Sequence, residues 1–114
     1  MIFVRINLDS EGCLREIDAR GHSYNTLEGK NVLCGAFTVM VKNVAKVIYS
    51  DTEIQSDGNA ESPGNLWFKV KTVPESKKEW LKGITDILIA GLFDLESQFK
   101  GEINVILEEE LNGT

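Results

Sequence analysis

Residues 31–50 constrain the fold more than any other stretch of the chain, being proline-free and almost wholly apolar in their first half. Val32, Thr38, Val39, Val41, Val44, Val47 and Ile48 are β-branched, which by propensity alone favours a strand. Length decides otherwise, because ordinary strands stop at about 10 residues. Phe37, Met40, Val41, Val44, Val47 and Ile48 recur at helical spacing, with Lys42, Asn43 and Lys46 opposite them. The segment is predicted to be a helix, and its apolar first half predicts a central place for it.

Strand patterns flank this helix. Ile2, Val4, Ile6 and Leu8 alternate with Phe3, Arg5 and Asn7, Asp9-Ser10-Glu11-Gly12 reads as a turn, and residues 13–20 alternate again with Cys13, Arg15, Ile17 and Ala19 on one side. The pair forms a hairpin that delivers the chain to Gly21-His22. Residues 52–56 make a short strand, Ser56 to Asn65 a polar loop with Gly58, Pro63 and Gly64, and Leu66 to Thr72 a further strand. Ser76-Lys77-Lys78-Glu79 fits a capping box, in which serine and glutamate side chains satisfy backbone N–H groups at a helix start. Trp80, Ile84, Ile87, Leu88, Gly91, Leu92, Leu95 and Phe99 then form one stripe, and Gly101 supplies the stop. Ile103, Val105 and Leu107 close the chain as a strand. The order β-β-α-β-β-α-β describes an α+β fold, a mixed sheet packed by two helices, within a single domain over residues 1–114.

A chain of 114 residues can bury a core without metal or disulfide staples. No uninterrupted apolar run approaches the roughly 18 residues of a membrane span, and Met1-Ile2-Phe3-Val4-Arg5 leads directly into a strand pattern. The expectation is therefore a cytoplasmic protein with no leader peptide and with both thiols reduced. A net charge of −6 argues against a nucleic-acid surface, which needs clustered Lys and Arg. It suits a cationic peptide partner, though mild acidity also serves solubility alone.

Chemistry gathers at one place. His22 is the only histidine, and Cys34, one of two cysteines, follows it across the polar loop Ser23-Tyr24-Asn25-Thr26-Leu27-Glu28-Gly29-Lys30. A thiolate is the nucleophile of cysteine chemistry, and a helix N-terminus and a neighbouring imidazole both favour it. With Asn31 as N-cap, Cys34 falls in the first helical turn, where unsatisfied N–H groups could also receive an oxyanion. Gly35 costs about 1 kcal/mol of helix propensity yet leaves room for a peptide backbone. Spacing alone leaves two readings open: Cys34 is in line with Phe37, Val41 and Ile48, as a core cysteine would be, and a single histidine after a strand often serves only as a surface or capping residue. A Cys13, His22 and Cys34 zinc set is disfavoured, because nine extended residues place Cys13 roughly 25–30 Å from His22. The same geometry disfavours a Cys13–Cys34 disulfide. No metal or cofactor is expected.

Gly21-His22, the glycine-bearing loop and Cys34-Gly35-Ala36 opening an apolar helix resemble the ribosomal-processing cysteine proteases of the Prp type. The Leu-Phe-x-Leu end of the second helix and the short last strand are also similar, so the likeness spans the chain. The resemblance implies a homodimeric α+β protein with a Cys–His dyad, Cys34 as nucleophile and His22 as base. It also implies a substrate: the precursor of the twenty-seventh bacterial large-subunit ribosomal protein, from which a short N-terminal extension is removed. The loop would move to admit the peptide, with Gly29 as its hinge, and Gly21, Ser23, Asn31, Gly35 and Ala36 would border the access route and oxyanion site. The chain departs from the family pattern at Ser23, Tyr24 and Asn25, which replace small residues. It departs again at Asn31, where an aspartate is usual, and at Gly35, often alanine or serine. A non-catalytic binding module on the same scaffold, attached to ribosome assembly, is the alternative that the bulkier loop favours. A redox-sensing thiol ranks last, lacking a nearby resolving cysteine.

Overall fold

The computed structural model describes residues 1–21, 32–59 and 65–110. Its elements are β1 (Ile2–Leu8), β2 (Leu14–Arg20), α1 (Val32–Tyr49), β3 (Gln55–Asn59), β4 (Asn65–Thr72), a 3₁₀ turn (Glu75–Lys77), α2 (Lys78–Gln98) and β5 (Ile103–Glu109). They form a five-stranded sheet in the order β3-β4-β2-β1-β5, antiparallel except for the β1–β5 pair. The predicted element order and α+β class are what the chain adopts.

Alternation in β1 turns Ile2, Val4, Ile6 and Leu8 inward and leaves Phe3 and Arg5 exposed. Ile17, Ala19, Phe68, Val70, Ile103 and Val105 join them, and both helices cover this one face. The other face carries cross-strand ion pairs, Arg5–Glu108, Lys69–Glu16 and Lys71–Asp57, around Phe3, Trp67 and Ile106.

The hairpin turn is held by Asp9, whose Oδ1 accepts from the N–H groups of Glu11 and Cys13, while Gly12 takes φ 82°. A register shift follows at Asn7/Leu8, pairing Asn7 with Glu16 and Leu8 with Leu14. The extra residue is Arg15, so Leu14 points inward and Arg15 outward, where it meets Glu110. The expectation that Arg15 shares a side with Ile17 is corrected by this bulge.

Five further corrections concern the helices and the edge strand. α1 buries only Leu33, Phe37, Val41 and Ile48 and leaves Val32, Val39 and Val47 exposed, so it lies on the sheet as an outer layer and is not central. By length and composition α1 is apolar enough to cross a bilayer, a property hidden from a count of uninterrupted runs because Lys42 and Lys46 break the sequence. The capping box does not form: the 3₁₀ turn leads into α2, and Lys77, in the N-cap position, makes no side-chain cap. The buried stripe of α2 is Leu81, Thr85, Leu88 and Leu92, while Trp80 and Ile87 are exposed. The strand predicted over 52–56 begins at Gln55 and continues to Asn59, taking residues assigned to the loop. Gly101, at φ 81°, does end the second helical segment as expected.

Candidate active site

α1 runs antiparallel to β3, because a short connection joins the end of α1 at Tyr49 to the start of β3 at Gln55, and both residues line one pocket with Asp51 and Ile54. The N-terminus of α1 therefore lies at the end of the sheet where β2 finishes at Arg20 and β4 starts at Asn65, two residues that pair directly. Gly21 sits at this end with φ 101°, and a Cβ there would collide with the carbonyl oxygen of Met1. Only glycine turns the chain out of β2 in that space.

Cys34 is the third residue of α1 and half-buried beside fully buried Leu33. The N–H groups of this first turn have no partner within the helix, and their summed dipole favours negative charge. Gly35 and Ala36 are exposed, and a Cβ on Gly35 would meet no described atom within 4 Å. Among the described residues nothing fills the space beside Gly35, room that a peptide backbone approaching the sulfur requires. Of the other residues singled out in the sequence, His22, Ser23, Gly29 and Asn31 lie outside the described residues, as do Tyr24 and Asn25.

Cys13 belongs to the opposite end of the sheet. It precedes β2, is buried, and donates its thiol hydrogen to the carbonyl oxygen of Lys78 at 3.4 Å. Burial first, then Asp9 and Glu11, push its thiol up from the ordinary value. It is a packing residue far from Cys34 in the fold. Among the described residues no three His, Cys, Asp or Glu side chains gather as a metal site would need.

A groove of about 400 Å³ between α1 and the β3–β4 edge went unforeseen. Leu66, Phe68 and Ala45 supply apolar lining, and Lys42 and Lys46 stand on its helix side. The sequence signal was present in the two lysines at i and i+4, read there only as a solvated helix back.

A profile of the family described as cysteine protease Prp matches residues 1–104. No curated protein sequence matches the chain. Among solved structures it is similar to the essential ribosomal processing protease Prp from S. aureus in complex with a covalently linked product peptide. That match has a TM-score of 0.78 at 17% identity and covers 95% of this chain and 100% of that one. The same S. aureus protease in complex with a substrate peptide matches with a TM-score of 0.74 at 16% identity, again covering 95% and 100%. SMU.848 from Streptococcus mutans matches with a TM-score of 0.75 at 13% identity, covering 96% of each chain. At these identities the structural likeness establishes the fold.

Proposed function

The chain belongs to the cysteine protease Prp family, and from that premise we propose that it is a cysteine endopeptidase for ribosomal protein processing, with Cys34 as nucleophile and His22 as base. The substrate in this reading is the N-terminal extension of a bacterial large-subunit ribosomal protein precursor. The observation that carries the proposal is Cys34 itself, half-buried in the first turn of α1 next to exposed Gly35 and Ala36, at the same end of the sheet as Gly21. That the S. aureus relative holds a covalently linked product peptide supports the same use of this scaffold here.

The chemistry balances without a cofactor. His22 takes the thiol proton of Cys34, and the sulfur attacks the scissile carbonyl. First-turn N–H groups of α1 receive the oxyanion that develops. Collapse breaks the C–N bond, and the imidazolium returns its proton to the departing amine. Water, deprotonated by His22, then hydrolyses the thioester and frees the sulfur. The protein acts in the cytoplasm on a peptide, needing neither nucleic acid nor membrane. A homodimer is supported by the apolar residues that α1 and α2 leave outside the core, Val39, Val47, Trp80 and Ile87.

The test uses the host's own ribosomal protein precursor, followed by mass spectrometry. Wild-type protein is expected to release the extension, and Cys34→Ala and His22→Ala to release none while keeping the wild-type melting curve. Turnover by Cys34→Ala overturns the assignment. Slow alkylation of Cys34 at neutral pH, unchanged in His22→Ala, would favour the non-catalytic binding module.

A further inference from the structure

At 100° per residue, Cys34, Thr38, Ala45 and Tyr49 share one stripe of α1, and Lys42 and Lys46 border it. The lower part of this stripe is the wall of the groove lined by Ala45, Tyr49, Leu66 and Phe68. The groove therefore continues the line that begins at the candidate nucleophile. Lys42 lies about 12 Å along the helix from Cys34, at about 1.5 Å per residue. An extended peptide covers that distance in about four residues.

Charge pairing sets this wall apart from the rest of the surface. Every described arginine, and Lys69, Lys71, Lys77, Lys78 and Lys82, has a carboxylate within 4.0 Å. Among the described residues only Lys42, Lys46 and Lys100 have none, although the chain holds 18 acidic residues against 12 basic ones. Two like charges at i and i+4 repel weakly, and an anion placed between them relieves that repulsion. The complement is an anionic group on an apolar body.

Resting on the peptidase reading above, we propose that this groove holds an extended segment of the substrate and that Lys42 and Lys46 select an acidic side chain there, about four residues from the scissile bond. An apolar neighbour of that acid occupies the floor made by Leu66 and Phe68. The apolar floor and the continuity with Cys34 favour a peptide over an RNA strand, as does a net charge of −6.

Binding to full-length Cys34→Ala protein tests this without requiring cleavage. Two fluorescein-labelled, end-blocked peptides with the cores Leu-Phe-Asp-Leu and Leu-Phe-Asn-Leu are compared by anisotropy. The Asp peptide is expected to bind about fivefold tighter, and high salt or added Lys42→Gln and Lys46→Gln substitutions should abolish the preference. Lys42→Glu with Lys46→Glu should transfer the preference to a Leu-Phe-Lys-Leu peptide. Equal affinities in the parent protein, or a preference that survives the lysine changes, overturn the proposal. So does an oligouridine that binds through these lysines while the peptides are not discriminated. No preference in the parent protein while wild type still processes the precursor rejects the groove alone; a lysine-dependent preference with no processing by wild type rejects the peptidase reading alone.

Discussion

Cys13 and Cys34 have opposite surroundings. Cys13 is 1% exposed, with its thiol hydrogen on a backbone carbonyl, whereas Cys34 is half-buried in a first helical turn. The Cys13 thiol is raised above its ordinary value of 9.0, chiefly by burial. Below that value both folded and unfolded chains hold the proton, and the contribution to stability is complete. Above it the unfolded thiol ionises first, so stability is lost as pH rises through the folded value. Urea unfolding between about pH 8 and 10 should show a declining midpoint that Cys13→Ala flattens; an equal slope in both proteins contradicts the assignment. Sequence spacing sets Cys13 apart from His22 by nine positions, and the structure buries it just before β2, away from the first turn of α1 that carries Cys34. It did not reveal that Arg15 would be the bulged residue, since a bulge depends on the partner strand and leaves no mark in local alternation.

At the scale of the element, Thr85 is the informative case. It is fully buried on α2, accepts the Leu14 N–H at 3.0 Å and donates to the Leu81 carbonyl at 2.7 Å. Leu14 stands where the β1–β2 register shifts, so this hydroxyl satisfies a buried backbone donor that the irregular strand supplies. Thr85→Val keeps the shape and removes the acceptor, and should cost about 1–3 kcal/mol in a urea titration, with Thr85→Ser retaining most of the stability. The same residue explains why the face of α2 was misjudged. Apolar periodicity finds Leu88 and Leu92, and Ile84 packs beside them, but it adds the exposed Trp80 and Ile87 and misses Leu81 and Thr85, which the core takes. A polar residue at a core position, and apolar residues left over for another surface, together rotate the apparent stripe. The capping box failed for a related reason: the chain enters α2 through a 3₁₀ turn, in which the Lys77 N–H bonds to the Pro74 carbonyl.

For the whole molecule, the two outer surfaces differ in kind. The bare sheet face answers its own charges across neighbouring strands, while the helix layer exposes Trp80, Ile87 (73% exposed), Val39 and Val47. The proposed homodimer would use this helix layer. Sedimentation should give a dimer for the wild type and a monomer for Ile87→Asp; a wild-type monomer, or a dimeric variant, removes the helix layer from the interface. The α+β architecture and element order were legible because strand alternation and helix length are local signals. The groove was not legible, since its two walls come from residues some twenty positions apart that only the tertiary fold unites.

One carboxylate shapes how copies of this protein can meet. Glu96 reaches from α2 to accept the N–H of Val105 at 2.7 Å, occupying a donor on the outermost strand β5. One donor on that margin of the sheet is thereby withheld from ladder growth by another chain, the route by which unprotected margins seed fibres. Neutralising this acid as glutamine would leave the donor served, but shortening it to alanine would reopen the margin and invite aggregation.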